Sequence, residues 1–319
     1  MTVGTHHPYR EAARHLTAAA AIGLALTVCS LLLVAQGPSQ RTFARPEDAV
    51  RTLTEATKAG NLNELRAIFG PDGDRLIASS DEATARRNRE VFAVAAAEGW
   101  RLVDQGANRK TLIVGNEGWP FPVPIVKSAN KWRFDTAAGK EEVLARRIGR
   151  NELAVIGICH TYVAAQQHYA RQGHDGKPEG LFAKSFNSDP GKQNGLYWLT
   201  SRGQPLSPLG DLMAQASAEG RALGTDREQP APFHGYYFKI LTAQGPAAPG
   251  GAKSYIVNGE MSAGFALVAW PAQYDATGIM TFAVNQDGLI HETDLGAATE
   301  ATAVAMTRYN PEASWRQVR

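Results

Sequence analysis

Residues 140–170 read KEEVLARRIGRNELAVIGICHTYVAAQQHYA. Val143, Leu144, Ile148, Leu153, Ile156, Tyr162, Val163 and Tyr169 recur through the stretch at helical intervals with no proline among them, which predicts one long helix. Gly149 and Gly157 are interior positions that allow a bend. Upstream the pattern changes to strands. Thr111–Val114 is bounded by Gly115 and Gly118, and Lys131–Phe134 alternates so that Trp132 and Phe134 share a face. Pro122–Val126 carries two prolines, which predicts an edge strand. Further back the chain is helical. Pro46-Glu47-Asp48 opens a helix, a second ends at Gly70-Pro71-Asp72-Gly73 after a split near Gly60-Asn61, and residues 82–98 form another. Helices first and antiparallel strands after predict a small α+β domain over residues 43–138.

Downstream, residues 171–208 are rich in Gly, Pro, Ser and Asn and read as loop, and residues 209–222 as a short helix. Strands follow at 236–241, 254–257, 264–270, 281–284 and 290–292, the last two joined by the turn Gln286-Asp287-Gly288-Leu289. The long helix packed on this antiparallel sheet predicts a second α+β domain over residues 139–293, with 294–319 as a C-terminal tail.

The chain has 319 residues, 44% hydrophobic and 20% charged, enough for about two domains with real cores. Composition excludes collagen-like, coiled-coil and multi-span membrane proteins. Lys+Arg 33 against Asp+Glu 31 gives a net charge of +2, so nothing sequence-wide draws the chain to nucleic acid. The N-terminus carries the clearest functional signal. Arg10 and Arg14 precede an uncharged apolar run over residues 16–35. A basic segment followed by an apolar one reads as an export signal, and about 20 apolar residues also suffice to span a bilayer. Residues 1–37 are therefore a signal peptide cleaved near Ala35–Gly37, or a signal anchor. Both place residues 43–319 outside the cytoplasm: periplasmic or secreted, or held at the inner membrane through residues 16–35. Leu26-Thr27-Val28-Cys29 is similar to a lipoprotein box, but Val28 is too large for the position before the Cys. With Cys29 in the export segment, Cys159 has no partner for an intrachain disulfide and reads as a small core residue.

Four stretches carry a family resemblance: Trp119–Pro124, Trp132–Glu142, Arg146–Leu153 and Pro232–Lys239, with Val284–Gly288 beside them. Together they resemble the exported bacterial family called domain of unknown function 2950 over residues 43–315. That family has no established activity, so the resemblance brings no catalytic residue. A second resemblance is to type IV pilin-like proteins, through Asn151–Ala154 running to Ala165-Gln166-Gln167-His168-Tyr169. The later order of Gly235-Tyr236, Ala269-Trp270-Pro271, Thr277-Gly278 and Asp287-Gly288 follows the same pattern. It implies a pilin-like head; the polar helix, preceded by a whole domain, departs from a pilin's apolar assembly helix. By element order alone, the first domain resembles the nuclear-transport-factor-2-like fold.

Motifs with chemical meaning are weak. Gly245–Ser254 resembles a P-loop, but Gly251 stands where Lys is needed and Pro246 and Pro249 lack N–H groups, so it reads as a hairpin loop. Asn285-Gln286-Asp287-Gly288 resembles a calcium loop, but the first ligand position falls on Ala283, leaving a turn. His160 and His168 stand two helical turns apart, too far for one ion, so neither they nor His174 predict a metal. Ser207, Ser254 and Ser262 lack a nucleophile-elbow context. Glu141 and Glu142 point apart on a helix, and Glu142 is spaced to pair with Arg146.

The sequence therefore describes an exported cell-envelope protein, non-enzymatic and without a cofactor or metal, that acts through protein–protein contacts. Its candidate functional surface is His234, Tyr236, Tyr237, Trp119 and Phe121. The aromatic and proline mixture at 119–124 suits peptide or glycan binding, or packing between domains. The alternative is an envelope ligand-binding protein or hydrolase, whose cavity opens in the N-terminal domain around the strands ending at Val126 and Phe134. A pilus or secretion-system role requires a prepilin site, and the region before Leu16 has no Gly-Phe junction.

Overall fold

The computed structural model describes residues 39–77, 82–200, 206–218 and 232–318. The export segment lies outside them, and no described helix is long and apolar enough to cross a membrane. The chain is α+β. Its first part is helical: α1 (Pro46–Lys58), α2 (Leu62–Phe69), α3 (Asp74–Ile77) and α4 (Glu82–Glu98). Pro46 at the first turn and Glu47 and Asp48 beside it favour the start of α1. Asn61 caps α2, its side chain accepting from the Glu64 N–H. Five strands follow: β1 (Trp100–Asp104), β2 (Arg109–Val114), β3 (Trp119–Pro120), β4 (Ile125–Ser128) and β5 (Lys131–Phe134). They form an antiparallel sheet in the order β1-β2-β4-β5, with β3 also paired to β2.

Two strands differ from the sequence expectation. Pro122 and Pro124 lie before the strand rather than in it, and β4 is interior, paired to both β2 and β5. Proline is tolerated because the ladder begins only at Ile125. β1 is an additional strand whose Trp100 and Leu102 turn inward while Arg101 and Val103 face out. The space between helices and sheet is filled by aromatic rings. Phe69 packs on Phe134 at 5.3 Å, Phe134 on Phe121 at 6.2 Å and Phe121 on Phe92 at 5.1 Å between centroids. Leu112 and Ile125 are fully buried beside them.

The long helix α5 (Thr136–Ala170) has 35 residues, about 52 Å at the usual rise. It begins four positions earlier than the apolar spacing indicates, because the first core holds its N-terminus. The Asp135 carboxylate caps Ala138 N–H, and the Thr136 hydroxyl donates to the Phe69 carbonyl at 2.7 Å. Gly139 lies flush against Val123. The C-terminal half, through Val155, Ile158, Cys159, Tyr162, Val163 and Tyr169, belongs to a second core. Between them residues 140–154 are about evenly divided between exposed and half-buried, with Ile148 the one buried side chain.

The second core holds α6 (Gly210–Ala218) and a sheet of β6 (Tyr236–Leu241), β11 (Ala266–Pro271), β12 (Met280–Asn285), β13 (Ile290–Asp294) and β15 (Arg316–Gln317). Between β6 and β11 run the short strands β7 (Ala243–Gln244), β8 (Lys253–Ser254), β9 (Ile256–Val257) and β10 (Glu260–Met261). The sheet order is β15-β13-β12-β11-β6, antiparallel throughout. All six residues of β11 are buried, which requires cover on both faces. Tyr236 points to α5, where it meets Glu152. Lys239 points to the opposite face, where its ammonium donates to the Val304 and Met306 carbonyls around the end of α7 (Thr299–Ala305). The segment read as a tail thus forms α7, β14 (Arg308–Tyr309), which pairs with β7, and the edge strand β15.

Two glycines of α5 separate packing from propensity. A methyl at Gly139 would stand 2.6 Å from Val123 Cγ2, whereas at Gly149 it would meet nothing. Gly149→Ala should gain about 1 kcal/mol of helix propensity. Gly139→Ala should lose about 1 kcal/mol net, since overpacking costs about 1–3 kcal/mol. Urea midpoints of the two variants check the opposite signs.

Candidate functional site

The sequence candidates fall into two groups, both against α5. The first is a clamp at its middle. His234 and Gly235 have φ of 46° and 73°, both left-handed, and form the two-residue turn that bridges Phe233 to Tyr236 in both directions. Histidine is among the residues that tolerate this region, and its ring packs on Phe233 at 4.3 Å. Gly235 is required because a methyl would reach 2.7 Å from Asn151 Nδ2. Tyr236 is fully buried, its hydroxyl donating to the Met280 carbonyl at 3.0 Å and standing 3.4 Å from Glu152 Oε1. Burial first, then the Glu152 carboxylate, push its phenol far above the ordinary range. The same carboxylate oxygen accepts the Ile279 and Met280 N–H groups at 2.9 and 3.0 Å. Asn151 Nδ2 donates to the Thr277 carbonyl at 2.8 Å. Tyr237 is half-buried against Trp270. These groups hold the helix to the sheet, and each is engaged with main chain or ring.

The second group lies one end of the helix away. Phe121 is half-buried in the aromatic chain of the first core, and Trp119 is 44% exposed at its edge. Arg146 of α5 lies over the Trp119 ring at 5.7 Å and donates to the Pro120 carbonyl at 2.8 Å while pairing with Glu142 at 2.8 Å. Val143, one turn earlier on the same side, is also exposed. The exposed Trp119 and the buried Tyr236 are therefore parts of different surfaces.

On the strands where the alternative reading expects a cavity, Ile125 and Phe134 are fully buried in the aromatic core. A shallow open depression of about 310 Å³ lies elsewhere on the first sheet, beside Trp100, Arg101, Ile113 and Asn116. A smaller, more enclosed cleft of about 160 Å³ lies at the C-terminal end of α5. The loop after α5 and the β9–β10 hairpin form its walls, and Asn258-Gly259, both left-handed, turn that hairpin. His174 is buried in its floor, stacked on Tyr169 with centroids 4.0 Å apart. One ring nitrogen lies 3.0 Å from the Tyr169 carbonyl and the other 3.2 Å from Gln193 Oε1. Lys177 and Lys184 both reach Glu260 across the mouth. No sequence motif links these residues; Lys177 and Glu260 are 83 positions apart.

His160 and His168 are exposed on α5, and among the described residues no three His, Cys, Asp or Glu gather as a metal site. The glycine-rich loop is an ordered turn. Gln244 Nε2 donates to the Pro249 and Gly251 carbonyls, and Asn310 Oδ1 accepts the Ala247 N–H. Asn285 Oδ1 accepts the Asp287 N–H within the β12–β13 turn. Cys159 is fully buried, and burial raises its thiol to about 12.

A family model described as protein of unknown function (DUF2950) matches residues 40–318, and the chain belongs to that family. No curated protein and no solved structure matches it.

Glu152→Ala leaves two N–H groups without their acceptor and should cost about 2 kcal/mol, while Glu152→Gln keeps an acceptor oxygen and should cost less; urea denaturation measures both. In a Cys29→Ser variant, Cys159 should not react with an aromatic disulfide reagent at pH 8 until the chain is unfolded. Because the unfolded thiol ionises first, its contribution to stability is intact below the ordinary thiol range and is lost as pH rises toward about 12.

Proposed function

We propose that this family member is an exported cell-envelope protein that works through protein–protein contacts and carries out no chemistry of its own. Export rests on the basic residues Arg10 and Arg14 ahead of the uncharged run at 16–35. The contact role rests above all on Trp119. Its ring is large, exposed and pinned by Arg146 beside Val143, at the point where α5 leaves the first core. A fixed, half-exposed tryptophan backed by an arginine is the composition of an interaction anchor. The polar groups with catalytic character, Glu152 and His174, are instead engaged in holding α5 to its neighbours. On this reading residues 139–293 resemble a pilin-like head.

The alternative, a ligand-binding protein or hydrolase with a first-domain cavity, has less support because Phe69, Phe92, Phe121 and Phe134 fill that space. A reporter enzyme that is active only outside the cytoplasm, fused after Arg319, tests export. It should be active with the full chain and inactive when residues 16–35 are deleted; an inactive full-length fusion would contradict the proposal. Trp119→Ala should then weaken a partner recovered by in-cell crosslinking by more than about 1 kcal/mol, while leaving the urea midpoint within about 0.5 kcal/mol of wild type.

A further inference from the structure

The cleft at the end of α5 has features the clamp and the Trp119 surface lack. It is preformed. Gln166, fully buried, exchanges two hydrogen bonds with Ala183, donating to its carbonyl at 2.8 Å and accepting its N–H at 2.9 Å. Phe182 N–H donates to the Met261 carbonyl at 2.7 Å, tying the loop to the hairpin. The Tyr169 hydroxyl donates to the Gln193 carbonyl, and Asp175, which also lines the cleft, accepts the Gln193 N–H. The surrounding main chain is thus fixed before any ligand arrives.

Two cations meet one carboxylate at its mouth. Lys177 Nζ lies 2.8 Å from Glu260 Oε1, and Lys184 Nζ lies 3.8 Å from Glu260 Oε2. Lys184 is steadied by donating to the Gly259 carbonyl at 2.9 Å. The ammonium groups are therefore spaced to serve the two oxygens of a single carboxylate, one each. Lys177, and then Lys184, hold Glu260 below the usual carboxyl range, so that internal carboxylate is charged at neutral pH. Beside the lysines, Leu181 and Phe182 are half-exposed and line the same cleft. A volume of about 160 Å³ is small, on the scale of one side chain with its terminal group.

We infer that this cleft binds the carboxylate of a small apolar acid, with Lys177 and Lys184 as its cationic partners, Leu181 and Phe182 as its apolar wall, and Glu260 as an internal competitor. A peptide C-terminus with an apolar last residue and a free short-chain fatty acid share this chemistry. Phosphate does not supply the apolar part.

The test uses the full chain in detergent, with backbone amide signals as the readout. N-acetyl-alanyl-leucine is titrated beside its C-terminal amide, with sodium hexanoate as a third probe. The acid should shift signals of residues 177–185 and 258–261 with a millimolar dissociation constant, and the amide should not. Hexanoate binding at least as well as the dipeptide assigns the site to free acids; weaker binding assigns it to peptide termini. Lys177→Ala with Lys184→Ala should weaken the acid at least tenfold. Glu260→Gln removes the competitor and should tighten it about threefold, the scale of an exposed ion pair. Equal binding of acid and amide, shifts confined to other regions, or a Glu260→Gln variant that binds more weakly would overturn the inference.

Discussion

One helix belongs to two cores. The first turn of α5 is locked by the Thr136–Phe69 hydrogen bond and the contact of Gly139 on Val123, and its last five turns form the floor of the second sheet. The intervening turns have little packing to support them, so their helicity rests on backbone bonding propagated from both ends. The clamp near their C-terminal end shows how the second core takes hold. Asn151 and Glu152 are adjacent in sequence, and they fix the chain at Thr277, Ile279 and Met280 before the buried face of the helix begins at Val155. Tyr236 closes the arrangement from β6, and Gly278 allows it, since a methyl there would stand 2.0 Å from the phenol oxygen.

This constraint sorts the side chains with chemical character. Groups that lie along α5 within either core are engaged in holding it. A carboxylate beside a buried tyrosine, an arrangement with a catalytic appearance, is for this reason a joint: its acceptor oxygen is filled by two backbone donors. The exposed candidate groups lie where the helix emerges from a core. Trp119 with Arg146 marks one such end and the Lys177–Glu260–Lys184 cleft the other.

Much of the architecture is legible in local pattern. Pro46, Asn61 and Gly70 punctuate the helices as their backbone chemistry requires, and the apolar run at 264–270 reads as a strand. What escaped local reading depends on distant partners. The start of α5 is set by the Phe69 carbonyl, and Ala137-Ala138-Gly139 carries no periodic signal. β15 is a strand only because β13 offers it an edge, and α7 is needed because the second face of β11 would otherwise be bare. β1 carries an alternating signal in Trp100, Arg101 and Leu102, which the apolar Val103 on the outward face obscures. At the candidate surface, the aromatic residues were visible but not their separation into buried joint and exposed edge. His234 stands out in the sequence beside Gly235, yet only the Phe233–Tyr236 bridge reveals it as a turn residue.

α5 runs unbroken through the turns between the cores. Amide hydrogen exchange of residues 141–154 tests it most directly. If the helix is continuous, these amides exchange at least about a hundredfold more slowly than an unstructured chain, with protection rising smoothly into both flanking halves. Exchange at unstructured rates across Ala145–Gly149, with protection only on either side, would mean two helices joined by a hinge and would contradict the account.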